Sequence, residues 1–462
     1  MSEKCFVVMG AGEVGFHLAK SLSQQGHDVA VIELDPVKQE RIEDELDVLV
    51  VGGNGAHPKV LEAAGVGNCE LFMAVSSSDE ANLAAANIAK FLGAERTVVR
   101  VGIAEEVITD RRLLEDVFLV DLLLSTQLLT TIRVLNEIRG HNTVAVEYLA
   151  WGKIQLSKVH LDKDSPLVHK PLKDVSLPKD CLVVAFFSGD ELIVPAGDDR
   201  AAPGDDALLL GTTEVIGEAE LVVSSARKKK TGTVVIGGGG ATGRSVARAL
   251  VPFDARVKII EKDRARAKEL AATFPGFEII HGDMTDLSLL QSERVSQAET
   301  FVALSGNDES NLMASLMAQE LGVDQVLAMV HRTETTQLWE RLGLKQVFSP
   351  RLLAYERIQE YIDSGYSANI VTLQKGAAQV FERRLAEASP AAGVTLAEMN
   401  PPRGLIVGAV KRGDRVFVPH GNDRLEVGDL VYLFVHEDEV DTARLLFPGR
   451  DTRKQTPVTA LR

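Results

Sequence analysis

The chain has 462 residues, 45% of them hydrophobic and 25% charged, which is ordinary globular material too long for one hydrophobic core. A formal net charge of -16 at pH 7 repels polyanions over most of the surface, which argues against nucleic acid and anionic lipid as principal partners. Cys5, Cys69 and Cys181 are odd in number and far apart, which argues against a disulfide framework or a zinc site and makes a reducing cytoplasm the expected setting.

In chain order, MSEKCFVVMGAGEVG has charges at Glu3 and Lys4 and then a glycine turn, so no secretory signal is expected. CFVVM reads as a strand, EVGFHLAKSLSQQ as a helix and VAVIEL as a second strand ending in Glu33. Such alternation predicts βαβ units around a parallel sheet. A connecting or dimer-packing helix is predicted from about Phe118 to Gly140. The apolar stretch there is broken by Asp121, Gln127 and Arg133, so no membrane-spanning run of about 18 residues exists. CLVVAFF, ELIVP and ALLLG, split by Gly-Asp turns and a Pro, predict a small β-rich α+β domain. The basic cluster Arg227, Lys228, Lys229 and Lys230 reads as a solvated linker.

From there the pattern repeats. Gly10, Gly12, Gly15, Glu33 and Asp35 correspond at one constant spacing to Gly238, Gly240, Gly243, Glu261 and Asp263. With the spacing one residue longer, Gly53-Asn54 corresponds to Gly282-Asp283, and SSSDEANL with Asp79 to SGNDESNL with Asp308. A second connecting helix is predicted from about Phe348 to Gly365, and LIVGAV, RVFVP and LVYLF repeat the small domain. The expected fold is α/β, a tandem duplication of a Rossmann-like doubly wound parallel-sheet domain followed by a small α+β domain. Its expected boundaries are 1–140 and 141–226 for the first copy, 227–231 for the linker, 232–366 and 367–448 for the second copy, and 449–462 for a disordered tail.

GAGEVG, comprising Gly10, Ala11, Gly12, Glu13, Val14 and Gly15, follows a strand, opens a helix and precedes an acid by about 20 residues, the context of a dinucleotide fingerprint. Gly10 permits the tight turn, Gly12 lets the backbone approach a pyrophosphate, and Gly15 lets helix and strand pack closely, with phosphate at the helix N-terminus. Glu33 is placed to accept hydrogen bonds from ribose hydroxyls and to repel a 2′-phosphate, so NAD or an adenosine nucleotide fits better than NADP. Gly238, Gly239, Gly240, Ala241, Thr242 and Gly243, with Glu261, form the second loop, with still fewer side chains expected between backbone and ligand. That copy is read as a nucleotide site, with strand–helix packing alone as the other reading.

Asn54 and Asp283 are placed either near an adenine or ribose, or simply in turns. Asp79 and Asp308 read as helix N-caps. Arg100 suits a phosphate or a facing subunit, and Met329 at the matching place implies different nucleotide preferences in the two halves. The ten histidines form no pair at matching repeat positions, and no HExxH, GxSxG or P-loop occurs. No catalytic or metal-binding residue is assigned, and an NAD-dependent dehydrogenase is the alternative reading.

The duplicated GxGxxG, the strand-end acids, the SSSDEANL and SGNDESNL segments and the two VP-containing small parts together resemble the TrkA family of Trk-type potassium-uptake regulators, built of paired RCK (KTN) modules. The resemblance covers nearly the whole chain. It implies Rossmann-like RCK N-domains that bind NAD(H) or ATP/ADP through Gly10, Gly12, Gly15 and Glu33 and through Gly238, Gly240, Gly243 and Glu261, with Arg100 as a phosphate contact. It also implies a peripheral regulatory subunit on the cytoplasmic face of the inner membrane. That subunit forms a dimer or tetramer ring, pairs through crossover helices, and docks on a Trk-type membrane potassium transporter.

Overall fold

In the computed structural model, which describes residues 4–102, 113–138, 143–149, 153–189, 191–224, 232–251, 255–363, 369–373, 377–413 and 415–448, the Val-rich runs form parallel strands. β1 (Cys5–Met9), β2 (Asp28–Glu33), β3 (Leu49–Gly52), β4 (Leu71–Ala74), β5 (Arg96–Val101) and β6 (Leu122–Ser125) make one sheet of order β3-β2-β1-β4-β5-β6. Every adjacent pair is parallel. Helices α1 (Glu13–Gln24), α2 (Pro36–Glu45), α3 (Pro58–Ala63) and α4 (Asp79–Leu92) connect the early strands. Because β1 and β4 are buried on both faces, they read as continuous apolar runs rather than alternating ones. The strand order reverses between β1 and β4, which opens a crevice at their carboxyl ends, where sheets of this kind hold ligands.

An antiparallel sheet follows, of β7 (Thr143–Leu149), β8 (Ile154–His160), β9 (Cys181–Ser188), β10 (Glu191–Ile193) and β11 (Asp206–Thr212), in the order β10-β9-β11-β8-β7. The second parallel sheet contains β12 (Thr233–Gly237), β13 (Arg256–Glu261), β14 (Glu278–His281), β15 (Thr300–Ala303), β16 (Gln325–Met329) and β17 (Gln346–Phe348), and repeats the first order strand for strand. The last sheet, of β18 (Asn369–Leu373), β19 (Ala378–Arg384), β20 (Leu405–Arg412), β21 (Arg415–Phe417) and β22 (Leu430–His436), repeats the antiparallel one. Each small sheet has two strands before the three that its sequence suggests.

The first connector differs from expectation. Within 118–140 the run LLLS is the sixth strand rather than helix and the helix runs Thr126–Ile138, whereas the second helix, Pro350–Asp363, lies within 348–365 and follows the short strand QVF. A short apolar run directly before a helix carries no period of its own, so periodicity merges the two. Its pairing with β5, Val98 opposite Leu122 through Val101 opposite Ser125, is what makes it a strand. The basic linker and the tail lie outside the described residues.

Two compact units result. Met1–Ile138 and Lys230–Asp363 form one, and Arg139–Lys229 and Ser364–Arg462 the other. In the first unit the connecting helices are exchanged. The Thr126–Ile138 helix packs on the glycine-loop helix Ala241–Leu250 of the second parallel-sheet domain, and Pro350–Asp363 packs on α1 of the first. Thr131 Oγ1 donates to Ser245 Oγ at 2.8 Å, and Glu137 accepts from Gln325 at 2.9 Å and Gln346 at 2.7 Å. In the second unit the two antiparallel sheets share one apolar core, with Leu156, Val184 and Leu210 against Val380, Tyr432 and Phe434. Their opposite faces are closed by the Ile216–Val223 and Val440–Leu446 helices. No helix among the described residues is long and apolar enough to cross a membrane.

Candidate nucleotide-binding sites

The first glycine loop leaves β1 through Gly10, whose φ of +100° disfavours any side chain; a Cβ there would lie 2.7 Å from the Ser76 backbone. A Cβ on Gly15 would lie 1.8 Å from the Gly10 carbonyl oxygen, so helix and loop touch backbone to backbone. A Cβ on Gly12 would meet nothing within 4 Å, and this N-cap residue has no side-chain cap, so the first N–H groups of α1 face an open crevice. The crevice is a cavity of about 720 Å³ whose lining includes Gly10, Ala11, Gly12, Glu13, Val14, Glu33, Asn54 and Arg100. Gly15 lies beneath it as a packing residue.

Glu33 is buried, and its carboxylate is engaged by the backbone. Oε2 accepts from Ala11 N at 2.5 Å, and Oε1 from Leu34 N and Asp35 N, both at 2.9 Å. A carboxylate oxygen accepts about two hydrogen bonds, so Oε1 is saturated and Oε2 has one position left for a hydroxyl. The acid therefore ties the glycine loop to the end of β2, besides whatever it offers a ribose. Asn54 Oδ1 accepts from Ala56 N at 2.9 Å, an Asx turn on the cavity wall.

Arg100 projects from β5. Its Nη2 donates to Ser76 O at 2.6 Å, while its Nε is buried with no hydrogen-bond partner among the described residues. Burial lowers its pKa, Asp79 opposes that shift and Arg351 adds to it, yet the guanidinium stays charged.

The second loop repeats the backbone. Gly238 has φ +105°, and a Cβ on Gly243 would lie 2.0 Å from Gly238 O. Buried Glu261 accepts from Gly239 N at 2.8 Å and Asp263 N at 2.7 Å, with Arg266 at 3.5 Å. The extra glycine does not clear the ligand side as expected. The space a Cβ on Gly239 would take is filled by Leu270, 2.3 Å from it, so the missing side chain makes room for core packing. Ala241 and Thr242 replace Glu13 and Val14. Asp283 accepts from Thr285 N and Oγ1 at 3.0 and 2.8 Å and pairs with Lys262 at 2.8 Å. Lys262 first, then the Thr285 donors, hold its carboxyl at about 2, below the ordinary 3.8.

The capping reading of Asp79 and Asp308 is corrected. The caps are their predecessors, Ser78 accepting from Ala81 N at 3.2 Å and Asn307 from Ser310 N at 2.7 Å. Asp79 instead accepts from Gly102 N at 2.9 Å, and Asp308 from His331 N at 2.9 Å, the His331 ring at 2.7 Å and Arg332 N at 3.1 Å. These bonds anchor the segments that follow β5 and β16. For Asp308 burial pushes the pKa up, but the His331 and Arg332 donors prevail and hold it below the ordinary value.

Two stretches of the chain, 6–117 and 234–350, match the TrkA-N domain, and 156–222 and 380–447 match the TrkA-C domain. A Trk system potassium uptake protein TrkA homolog 1 from Methanosarcina mazei is 30% identical over 439 residues, covering 93% of this chain and 96% of that protein. The chain belongs to the TrkA family. A TrkA homolog from Archaeoglobus fulgidus is likewise 30% identical, over 96% of this chain and 99% of its own length. Among solved structures, the GsuK channel bound to NAD aligns with a TM-score of 0.58 at 17% identity, covering 96% of this chain and 79% of that one. The GsuK RCK domain aligns at 0.56, also at 17% identity, covering 96% of this chain and 94% of that one. Both share the fold of this TrkA-family chain.

Two features of this TrkA-family site escape a reading of the sequence. Asn82 is fully buried and fully bonded: Oδ1 accepts from Ser76 N and Oγ, and Nδ2 donates to Ser76 O and Arg100 O. Asn311 does the same with Ser305 and Met329. The final Asn of SSSDEANL and SGNDESNL is the signal that was there to find, since it recurs where β4–β5 and β15–β16 must be clasped. The second feature is the set of cations Lys38, Arg41 and Arg351 on the wall of the first cavity.

Proposed function

We propose that this chain is the peripheral, non-catalytic regulatory subunit of a Trk-type membrane potassium transporter, switched by adenine nucleotide bound at its Rossmann crevices. The observation that carries the reading is the first crevice. In a TrkA-family chain, an uncapped helix N-terminus, an open Gly12, a strand-end acid and a phosphate-matched guanidinium all border one cavity. NAD(H), ATP and ADP share the adenosine and pyrophosphate that such a crevice recognises. NAD(H) gains support from a channel of the same fold that is described as bound to NAD.

In this reading the cofactor-binding residues are Gly10, Ala11, Gly12, Glu13, Val14, Glu33, Asn54 and Arg100 in the first half, with Gly15 of the same fingerprint packing the loop beneath them. Those of the second half are Gly238, Gly239, Gly240, Ala241, Thr242, Gly243, Glu261 and Asp283. The domain boundaries are those expected from the sequence, 1–140, 141–226, 232–366 and 367–448. The protein assembles with copies of itself and docks on the cytoplasmic face of its transporter. Nucleotide regulates only in so far as it binds two states of that assembly with different affinity, a coupling typically worth about 1–3 kcal/mol. The test is potassium flux through the partner transporter in vesicles with this protein added. Flux that changes with ATP, ADP or NADH is the expected result, and flux indifferent to all three overturns the proposal.

A further inference from the structure

The wall of the first cavity is not built by one Rossmann domain. Arg351, the second residue of the Pro350–Asp363 helix, belongs to the second domain and yet lines the first cavity. Its Nη1 lies 3.1 Å from Glu13 Oε2 and donates to His331 O at 3.0 Å. One guanidinium thus joins the first residue of α1 to the segment after β16. That segment is itself held by Asp308 through His331 and Arg332. The helices behind this contact are packed, and the Tyr355 ring lies 6.0 Å from that of His17.

The second loop carries different residues. At the corresponding places Ala241 replaces Glu13, Met329 replaces Arg100, and Gln127, the second residue of the Thr126–Ile138 helix, replaces Arg351. Three substitutions remove every charge that the first cavity has at these positions.

The charges of the first cavity have a direction. Glu33 marks the ribose side, beside Lys38 and Arg41 on α2. Arg41 is already engaged, by Glu45 at 2.9 Å and by the Phe16 ring at 4.6 Å. Across the glycine loop, on the β4–β5 side, Arg100 and Arg351 line the same cavity. Each guanidinium has a carboxylate beside it, Asp79 for Arg100 and Glu13 for Arg351, and two guanidiniums on one cavity wall favour an anion within it. A dinucleotide offers a ribose and a nicotinamide ring beyond its pyrophosphate. A nucleoside polyphosphate offers a terminal phosphate, which guanidinium forks fit in charge and shape.

We propose that the first site selects a nucleoside di- or triphosphate, and that Arg351, supplied by the second Rossmann domain, contacts its terminal phosphate and gives up Glu13 to do so. The proposal rests on the reading of the first crevice as an adenine-nucleotide site. It makes Arg351 the residue through which the second domain registers occupancy of the first. By reciprocity, whatever displaces the Pro350–Asp363 helix changes affinity at the first site by the same factor.

The test is calorimetric titration of the full chain and its Arg351→Gln variant, which places the second half's own residue in the first site, with ATP, ADP and NADH. Losing a charge-assisted hydrogen bond to phosphate is expected to weaken ATP about tenfold or more, with NADH changed less than about threefold. NADH binding also reports that the variant is folded, and Arg351→Lys should recover part of the ATP affinity. ATP affinity unchanged in R351Q overturns the inference while leaving the first crevice a nucleotide site. Equal losses for ATP and NADH also overturn it, because Arg351 would then be a residue of the domain contact only. No binding of any nucleotide by the unaltered chain overturns the functional reading itself.

Discussion

Residue for residue, the loops after β1 and β12 make the same backbone contacts. Gly10 and Gly238 take left-handed φ values, Gly15 and Gly243 abut the carbonyls of those same glycines, Glu33 and Glu261 accept from the loop N–H, and Asn82 and Asn311 clasp the neighbouring strand ends. The differences lie elsewhere: Glu13 against Ala241, Arg100 against Met329, Arg351 against Gln127, Asn54 against Asp283. What the two domains share is accounted for by packing and by satisfied buried polar groups. What distinguishes them is the chemistry that a ligand meets. A glycine fingerprint is therefore good grounds for the fold and weaker grounds for a ligand, and the flanking charges carry the rest.

The largest effect tests the shared part. Gly15→Ala and Gly243→Ala each drive a Cβ into a backbone carbonyl. Each should cost about 3 kcal/mol, the upper range for overpacking, seen as a lower melting temperature and faster proteolysis. Losses of similar size in both variants would confirm a common packing role; a loss in only one would break the equivalence of the two loops. Next comes Gly12→Val, where an added Cβ meets nothing within 4 Å and the backbone is extended. Stability should change by about 1 kcal/mol or less. What disappears is the stabilisation by nucleotide, roughly 2.7 kcal/mol at a hundredfold excess over Kd, measured as the ligand-dependent shift in melting temperature. Gly240→Val shows whether the second loop has such a shift to lose.

These contrasts also mark what the chain makes legible. β1, β4 and their repeats are buried on both faces, so their apolar runs stand out, and the glycines and acids at their ends fix the direction of the crevice. β6 and β17 are hidden because each is only three or four residues long and is followed at once by a helix, with at most one residue between. Glu33 is identifiable as a strand-end acid, but that its oxygens are mostly taken by Ala11, Leu34 and Asp35 depends on how the loop folds back. Asp79 looks like a cap because it opens a helix, whereas the cap is the residue before it and the carboxylate reaches Gly102. Arg351 carries no local sign at all. Its place on the first cavity follows from the exchange of the connecting helices, a long-range packing event that repeats and spacings do not encode.

The smallest effect concerns the turn after the third strand, where Asn54 and Asp283 stand at the same place. Asn54 closes its turn without charge, whereas Asp283 adds an ion pair to Lys262. With its pKa held at about 2 against an ordinary 3.8, Asp283 contributes stability that is complete above about pH 4 and fades as the pH falls through 2. Asp283→Asn gives the second domain the residue of the first. Because the pair is exposed, the loss at neutral pH should be about 1 kcal/mol or less, reduced by salt. The gap between the two proteins should narrow as melts are taken from pH 5 down towards pH 2.5. A gap that stays constant over that range would mean that the turn geometry, and not the carboxylate charge, is what Asp283 supplies. The difference at this position would then concern the fold of the second domain, leaving the contrast in ligand chemistry to Glu13, Arg100 and Arg351.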